Sequence, residues 1–370
     1  MQEFSLYKTE AGTILLEGGL PIASSKDSPT PLIEKAKKEG VRKLTVSDAE
    51  TGEAVRAAGL DFAVMSAFQK EEFDTRKIAM MVESKLAGNL AEATELLRQK
   101  SIEAAEETIR EESSRPDLHV VQAIQALDDA DKFLNVVATR TAEWYGLHFP
   151  ELTQMMQDNM VLCRMISEIG GRQEFTKEKL QGRGLTEKKI EAVLTARDRS
   201  KGGEVSKSDL ARVRELAALA LELSSERDRL AGYVETSMKQ VAPNVAVVAG
   251  ATIGARLMAK AGGLDRLATM PASTIQILGA EKALFRSLKT GARPPKHGIL
   301  FQHLEVHTAP KWQRGKIART LANKIAIAAR VDCYRGAEDP KLKPELEKRL
   351  EQIRTKYKDP PKKQEKKRRS

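Results

Sequence analysis

GAEKALFRSLKTGARPPKHGILFQHLEVHTAPKWQRGKIARTLANKIAIAARVDCYRG, residues Gly279–Gly336, is the stretch on which the fold turns. It joins a Gly-Ala-Glu-Lys turn, a Pro-Pro-Lys-His-Gly loop and a basic amphipathic helix. A helix drawn from Lys316 puts Lys316, Arg319, Thr320, Asn323 and Lys324 on one side. Ile317, Leu321, Ile325 and Ala328 fall on the other. The apolar side packs and the basic side stays free. Charge on a helix is usually a solvated face. Here, however, no Asp or Glu occurs between Val306 and Val331, which points to phosphate.

Working outward, charge is unevenly distributed. Residues 241–340 hold 15 basic and 6 acidic side chains, and residues 341–370 hold 13 and 5. The first 240 residues hold 34 basic and 41 acidic. An anionic partner at the basic end follows, nucleic acid above all. Hydrophobic content of 41% supports real cores, whereas 4% aromatic content disfavours a base-stacking platform. Cys163 and Cys333 lie far apart with no metal-ligand spacing, and read as small buried hydrophobes in a reducing, cytoplasmic setting. No secretory signal is visible at the N-terminus. The longest apolar run, Val245–Ala255, is too short to span a bilayer and reads as a tightly packed core helix.

The predicted fold is mainly α, with a small N-terminal α/β domain. Thr13–Leu16, Val41–Val46 and Leu60–Ser66 read as strands, and Pro31–Glu39 and Asp48–Ala58 as helices capped by Thr30 and Ser47. Lys70–Lys100 reads as helical. This part has no Gly-rich nucleotide cradle. Pro116 opens a new helix whose apolar face includes Val121, Ile124, Leu127, Leu134, Val137 and Ala138. Two stripes follow. Leu152, Met155, Asn159, Leu162, Ile166 and Ile169 are spaced 3-4-3-4-3, and Leu216, Leu219, Leu223, Glu226, Leu230 and Tyr233 repeat the pattern. That is the seam of a coiled coil, here an antiparallel hairpin with a polar tip between. An ordinary bundle is the alternative, since each run is shorter than three heptads. The segments predicted are 1–110, 111–240, an all-α 241–340, and 341–370, a Lys/Glu-rich helix with a disordered basic tail.

GAEKALF at Gly279–Phe285, RPPKHGILFQH at Arg293–His303 and RGKIARTLANKIAIAARVD at Arg314–Asp332 resemble the Nop-domain family. EWYGLHFPEL at Glu143–Leu152 resembles that family's signature ahead of its coiled coil. The likeness is clear over roughly residues 115–335 and is one of position and type only before that. The form it resembles is the archaeal scaffold of box C/D guide-RNA particles. The resemblance implies an N-terminal domain that docks the methyltransferase fibrillarin and a coiled coil that pairs two copies. It implies a Nop domain that meets a kink-turn RNA beside its kink-turn-binding protein. The particle 2′-O-methylates RNA with S-adenosylmethionine held by fibrillarin, so the scaffold needs no cofactor and performs no chemistry. The runners-up are a spliceosome-like Nop protein and a basic coiled-coil scaffold without RNA specificity; a methyltransferase in its own right is disfavoured by the missing cofactor loop.

The RNA-contacting candidates follow. Gly279 allows close backbone approach, and Ala280, Glu281, Lys282 and Arg286 complete a motif that the resemblance sets near the guide–target duplex. Arg293, Lys296, Lys311, Arg314, Lys316, Arg319, Asn323 and Lys324 are phosphate candidates. The resemblance sets Gln302 and His303 against kink-turn RNA, with His297 nearby. His297, His303 and His307 could suggest a metal, but only Glu305 stands near them, and no metal is expected.

Overall fold

The computed structural model describes residues 3–360, so the tail predicted to be disordered lies outside the described residues from 361 onward. The chain divides into two compact units, Met1–Ser114 and Arg115–Ser370. No helix among the described residues is long and apolar enough to cross a membrane.

In the first unit, strands β1 (Phe4–Thr9), β2 (Gly12–Glu17), β3 (Leu20–Ser25), β4 (Lys43–Val46) and β5 (Asp61–Val64) form one sheet in the order β3-β2-β1-β4-β5. The first three are antiparallel neighbours; β1, β4 and β5 run parallel. Helices α1 (Thr30–Lys38) and α2 (Ala49–Ala57) make the crossovers, and α3 (Ala67–Glu83) and α4 (Leu90–Ser113) follow. Side chains alternate across the sheet, as a period of two requires. Leu6 and Leu15 join Leu32, Ile33 and Val55 on one face, while Tyr7, Ile14 and Leu16 join Met80 and Met81 on the other. The sequence reading found β2, β4 and β5 but not β1 and β3. The helix α2 cap is Asp48, whose carboxylate accepts from Thr51 N–H at 2.8 Å, rather than Ser47; α1 has no side-chain cap and Thr30 is its first residue. Lys70–Lys100 is two helices, because Asn89 caps a fresh start.

Among the described residues the second unit's regular elements are all helices: α5 (Pro116–Gly146), α6 (Pro150–Met155), α7 (Asn159–Ile169), α8 (Lys177–Leu180), α9 (Glu187–Asp198), α10 (Lys207–Val241), α11 (Pro243–Ala249), α12 (Ala251–Ala261), α13 (Leu264–Thr269), α14 (Ala272–Ile277), α15 (Glu281–Thr290), α16 (Leu304–His307), α17 (Arg314–Tyr334) and α18 (Leu342–Lys356). It has two apolar cores, and α5 and α10 belong to both. Val120, Ile124 and Leu127 pack with Val234 and Met238 in the core that also holds α11–α14, α17 and α18. Ala138 and Tyr145 pack with Val213, Ala217 and Ala220 in the other, around α6, α7 and α9. Early α5 therefore faces late α10, and the pair is antiparallel.

The seam is not the one predicted. The first stripe is split between α6, with Leu152 and Met155, and α7, with Asn159, Leu162, Ile166 and Ile169. The chain breaks at residues 156–158, where Asp158 accepts from Met160 N–H at 2.8 Å and caps the new helix. On α10 the buried line is Val213, Ala217, Ala220, Val234 and Met238. Leu216, Leu223 and Leu230 are half-buried beside it, and Leu219 and Tyr233 are 43% and 51% exposed. The long partner of α10 is α5. Along α5 a second apolar stripe faces solvent: Phe133 (61% exposed), Val136 (66%), Trp144 (36%) and Leu147 (73%).

Residues Glu143–Leu152 anchor the tip. Tyr145 Oη donates to Gly170 O at 2.8 Å, and Phe149 meets Phe175 edge-on at 5.7 Å. His148 Nε2 accepts from Arg172 N–H at 3.0 Å, with Nδ1 at 3.0 Å from Gly203 O. The Glu151 carboxylate accepts from Ser200 Oγ at 2.6 Å and Lys201 N–H at 2.9 Å. The run Val245–Ala255 is two helices instead of one, parted at Gly250, whose φ is 80°.

Candidate nucleic-acid interface

Helix α17 forms as its period dictates. Ile317, Leu321, Ile325, Ala328 and Ala329 are buried in the core, and Lys316, Arg319 and Asn323 are exposed on the opposite side. Two of the phosphate candidates are occupied within the fold. Lys324 is ion-paired with Glu345 of α18, its side chain only 18% exposed. Arg314 donates to Ala309 O at 2.9 Å and His307 O at 3.0 Å, and its guanidinium lies 5.2 Å from the Phe301 ring. His297 stacks against Phe301 at 4.8 Å and His307 tilts against it at 5.2 Å. Phe301, which the sequence reading passed over, is thus the centre of a small aromatic and cationic cluster.

The loop Arg293–Gly298 is clamped along the end of α14. Gly298 N–H donates to Gln276 O at 3.0 Å, Gln276 Nε2 to Lys296 O at 2.7 Å, and Ile299 N–H to Leu278 O at 2.8 Å. A Cβ on Gly298 would stand 1.9 Å from Leu278 O, so only glycine fits this approach. Arg293 and Lys296 are exposed on the clamped loop, and Lys311 is exposed ahead of α17.

The Gly-Ala-Glu-Lys turn opens α15. Gly279 N–H donates to Glu281 Oε1 at 2.6 Å. Burial pushes the Glu281 carboxyl up, but the hydrogen bonds from the Gly279 and Glu281 N–H groups and the nearby Lys260 charge together outweigh it, and the carboxyl sits below its ordinary value. Ala280 is half-buried, and Lys282 and Arg286 are exposed beside Phe285 (65%) and Leu288 (72%). Gln302 is exposed, with its Oε1 accepting from Arg256 at 2.8 Å, and Arg256 is in turn ion-paired with Asp128 of α5. Nothing local in sequence links Gln302 to partners 46 and more residues away.

His303 is half-buried, and its Nδ1 accepts from Glu305 N–H at 3.2 Å at the start of α16. Burial holds both His297 and His303 below the ordinary imidazole value; at His297 nearby Arg314 and Lys296 push the same way, while at His303 Glu305 opposes. A lowered folded value means the unfolded chain takes up protons first. Stability is then present above the ordinary value of 6.5 and lost as pH falls through the folded values. We expect the thermal midpoint of the chain to fall as pH is lowered below the ordinary imidazole value of 6.5. His297→Asn with His303→Asn should flatten that dependence, and an unchanged slope in thermal melts would move its origin elsewhere.

Residues 126–352 match the Nop family model, described as snoRNA binding domain, fibrillarin. The chain is 43% identical over 260 residues to an uncharacterised NOP5 family protein of Methanocaldococcus jannaschii, covering 70% of this chain and 63% of that one. It is 38% identical over 343 residues to nucleolar protein 58 of Candida albicans, covering 92% and 66%. To human nucleolar protein 56 it is 42% identical over 246 residues, covering 64% and 41%. The chain thus spans a little under two thirds, or less, of the length of these relatives. A chain in a crystal structure of a fibrillarin/Nop5p complex aligns over 71% of this chain and 79% of that chain, with 26% identity and a TM-score of 0.42.

Proposed function

The chain belongs to the Nop family, and from that premise we propose that it is the scaffold of an archaeal-type box C/D guide-RNA particle, with no active site and no cofactor of its own. In this reading Arg293, Lys296, Lys316 and Arg319 hold the phosphates of a kink-turn RNA beside its kink-turn-binding protein. The unit Met1–Ser114 docks fibrillarin, which brings S-adenosylmethionine and transfers the methyl group to a ribose 2′-hydroxyl. Acid excess in residues 1–110, 19 against 15 basic, disfavours RNA there and supports a protein partner. Two copies pair through the exposed stripe of α5 and the flanking leucines of α10. The compartment is the cytoplasm.

The observation that carries the reading is α17: a helix whose apolar side is fully used by the core and whose exposed side offers cations with no acid within the helix's first four turns. Replacing Lys316 and Arg319 by Ala leaves the packing side untouched. It should lower the slope of log affinity against log salt by about two, one for each phosphate no longer neutralised. The measurement is affinity for a box C/D RNA in the presence of the kink-turn protein across a salt series. An unchanged slope and affinity would turn this helix toward protein or solvent. Fibrillarin retention by the same variant separates weakened RNA binding from a failure of assembly.

A further inference from the structure

Helix α18 does more than close the core. Leu342, Leu346, Leu350 and Ile353 are buried, which fixes its apolar side against the rest of the unit. Trp312 Nε1 and Gln313 Nε2 both donate to Tyr357 O at 2.9 Å, the Lys324–Glu345 pair ties its first turn to α17, and Arg354 pairs with Glu305. The helix is thereby held alongside α17 with a groove between them. Two adjoining cavities, of about 970 and about 490 Å³, make up that groove, and Arg319, Lys348 and Arg349 line both. Lys316 and Arg319 stand on the α17 wall and Lys348, Arg349 and Lys356 on the α18 wall.

The electrostatics are one-sided. The groove's acids, Glu345 and Glu351, are each engaged by a neighbouring cation, Lys324 and Arg354. Lys316, Arg319 and Lys348 make no ion pair among the described residues, and Arg349 only donates to Gln352 Oε1 at 2.8 Å. Lys316 Nζ lies 4.1 Å from the centre of the Tyr357 ring at the groove's end. Beyond residue 360 the sequence adds six Lys or Arg and one Glu, so the chain that leaves this end of α18 carries more positive charge. Cations ranked on two walls along a length suit an evenly charged polymer better than an acidic peptide, whose carboxylates are irregularly spaced.

We propose that the α17–α18 groove is a track for an RNA sugar–phosphate backbone, in which Lys348 and Arg349 of α18 face Lys316 and Arg319 of α17 across the strand. This rests on the reading that the exposed side of α17 meets RNA, and adds to it a wall that the Lys/Glu-rich composition of α18 conceals. The two α18 cations each release a counterion when the strand enters.

The test uses the full chain with a box C/D RNA and the kink-turn protein. Lys348→Gln with Arg349→Gln should weaken binding by roughly tenfold or more at about 0.1 M salt and lower the salt slope by about two. Lys341→Gln with Lys343→Gln removes the same charge from the start of α18 and the residue before it, outside the groove, and should leave the slope near that of the unaltered chain. Thermal melts of both variants check that the fold is kept. Wild-type affinity and slope in the groove variant, while Lys316→Ala with Arg319→Ala loses both, would overturn the groove and leave the α17 reading standing. Equal losses in the groove and control variants would also overturn it, as would loss of kink-turn-protein binding with RNA affinity intact. If neither the α17 nor the α18 variant alters RNA binding, the failure belongs to the α17 reading itself.

Discussion

Asp332→Ala should destabilise the second unit by about 3–5 kcal/mol, the largest loss expected of any single change here. Asp332 is buried near the end of α17, and its carboxylate accepts three hydrogen bonds: from Asn244 N–H at 3.0 Å, Asn244 Nδ2 at 2.6 Å and Val245 N–H at 2.9 Å. Two of these are the unpaired N–H groups that begin α11, which has no cap of its own. Alanine leaves the backbone N–H groups of Asn244 and Val245 buried without an acceptor, at a cost of about 1–3 kcal/mol each before relaxation, and takes one of the two acceptors of the Asn244 amide. Asn244 also links outward, donating to Ala337 O at 3.0 Å and accepting from Asp339 N–H at 2.7 Å, so the loop into α18 loosens with it. Asp332→Asn keeps one acceptor oxygen and should lose less. Denaturant melts measure both; a deficit under about 1 kcal/mol in the alanine variant would show that water replaces the carboxylate there.

The second large effect concerns assembly. Phe133→Asp with Val136→Asp should halve the mass of the protein in solution, read by light scattering. Both side chains are more than 60% exposed on α5, so neither supports the antiparallel pair from inside. Trp144 and Leu147 lie on the same side beyond the exposed Arg140–Glu143 pair, and exposed apolar side chains grouped on one side of a surface helix are costly to leave in water. Two buried carboxylates on each copy would face each other across a self-complementary interface. A variant that keeps the mass of the unaltered chain would place self-association elsewhere, and a monomeric unaltered chain would remove the premise.

How much of this could be read in advance differs by element. The two-sidedness of α17 was plain, because a 3.6-residue period repeated over 21 residues has no competing interpretation. The opening of α5 at Pro116 and its inward face at Ile124, Leu127 and Ala138 were plain for the same reason. The coiled-coil seam was misassigned because an unbroken 3-4 spacing says nothing of whether the chain itself is unbroken. Leu152 and Leu162 keep the rhythm across a gap that Asp158 announces as a cap. On α10 the larger leucines attracted the reading, yet small Ala217 and Ala220 lie in the seam, where close approach to α5 favours them. Within the candidate interface, Lys316 and Arg319 were legible as exposed cations. That Lys324 answers Glu345 and Arg314 answers two carbonyls was not, since such pairings are tertiary and leave no periodic trace. Leu342, Leu346, Leu350 and Ile353 did carry a helical rhythm, but among so many charges only a Lys/Glu-rich helix was legible there and not its packing against the core.

Helices α5 and α10 have 31 and 35 residues and run without interruption between the two cores of the second unit. At 1.5 Å per residue they measure about 46 and 52 Å. Neither core can shift along the other without breaking a continuous helix. The pair is therefore a ruler whose length is written in residue number. It holds the tip formed by α6–α9 a fixed stride from the basic end, and any assembly built on it inherits that stride as its unit of spacing.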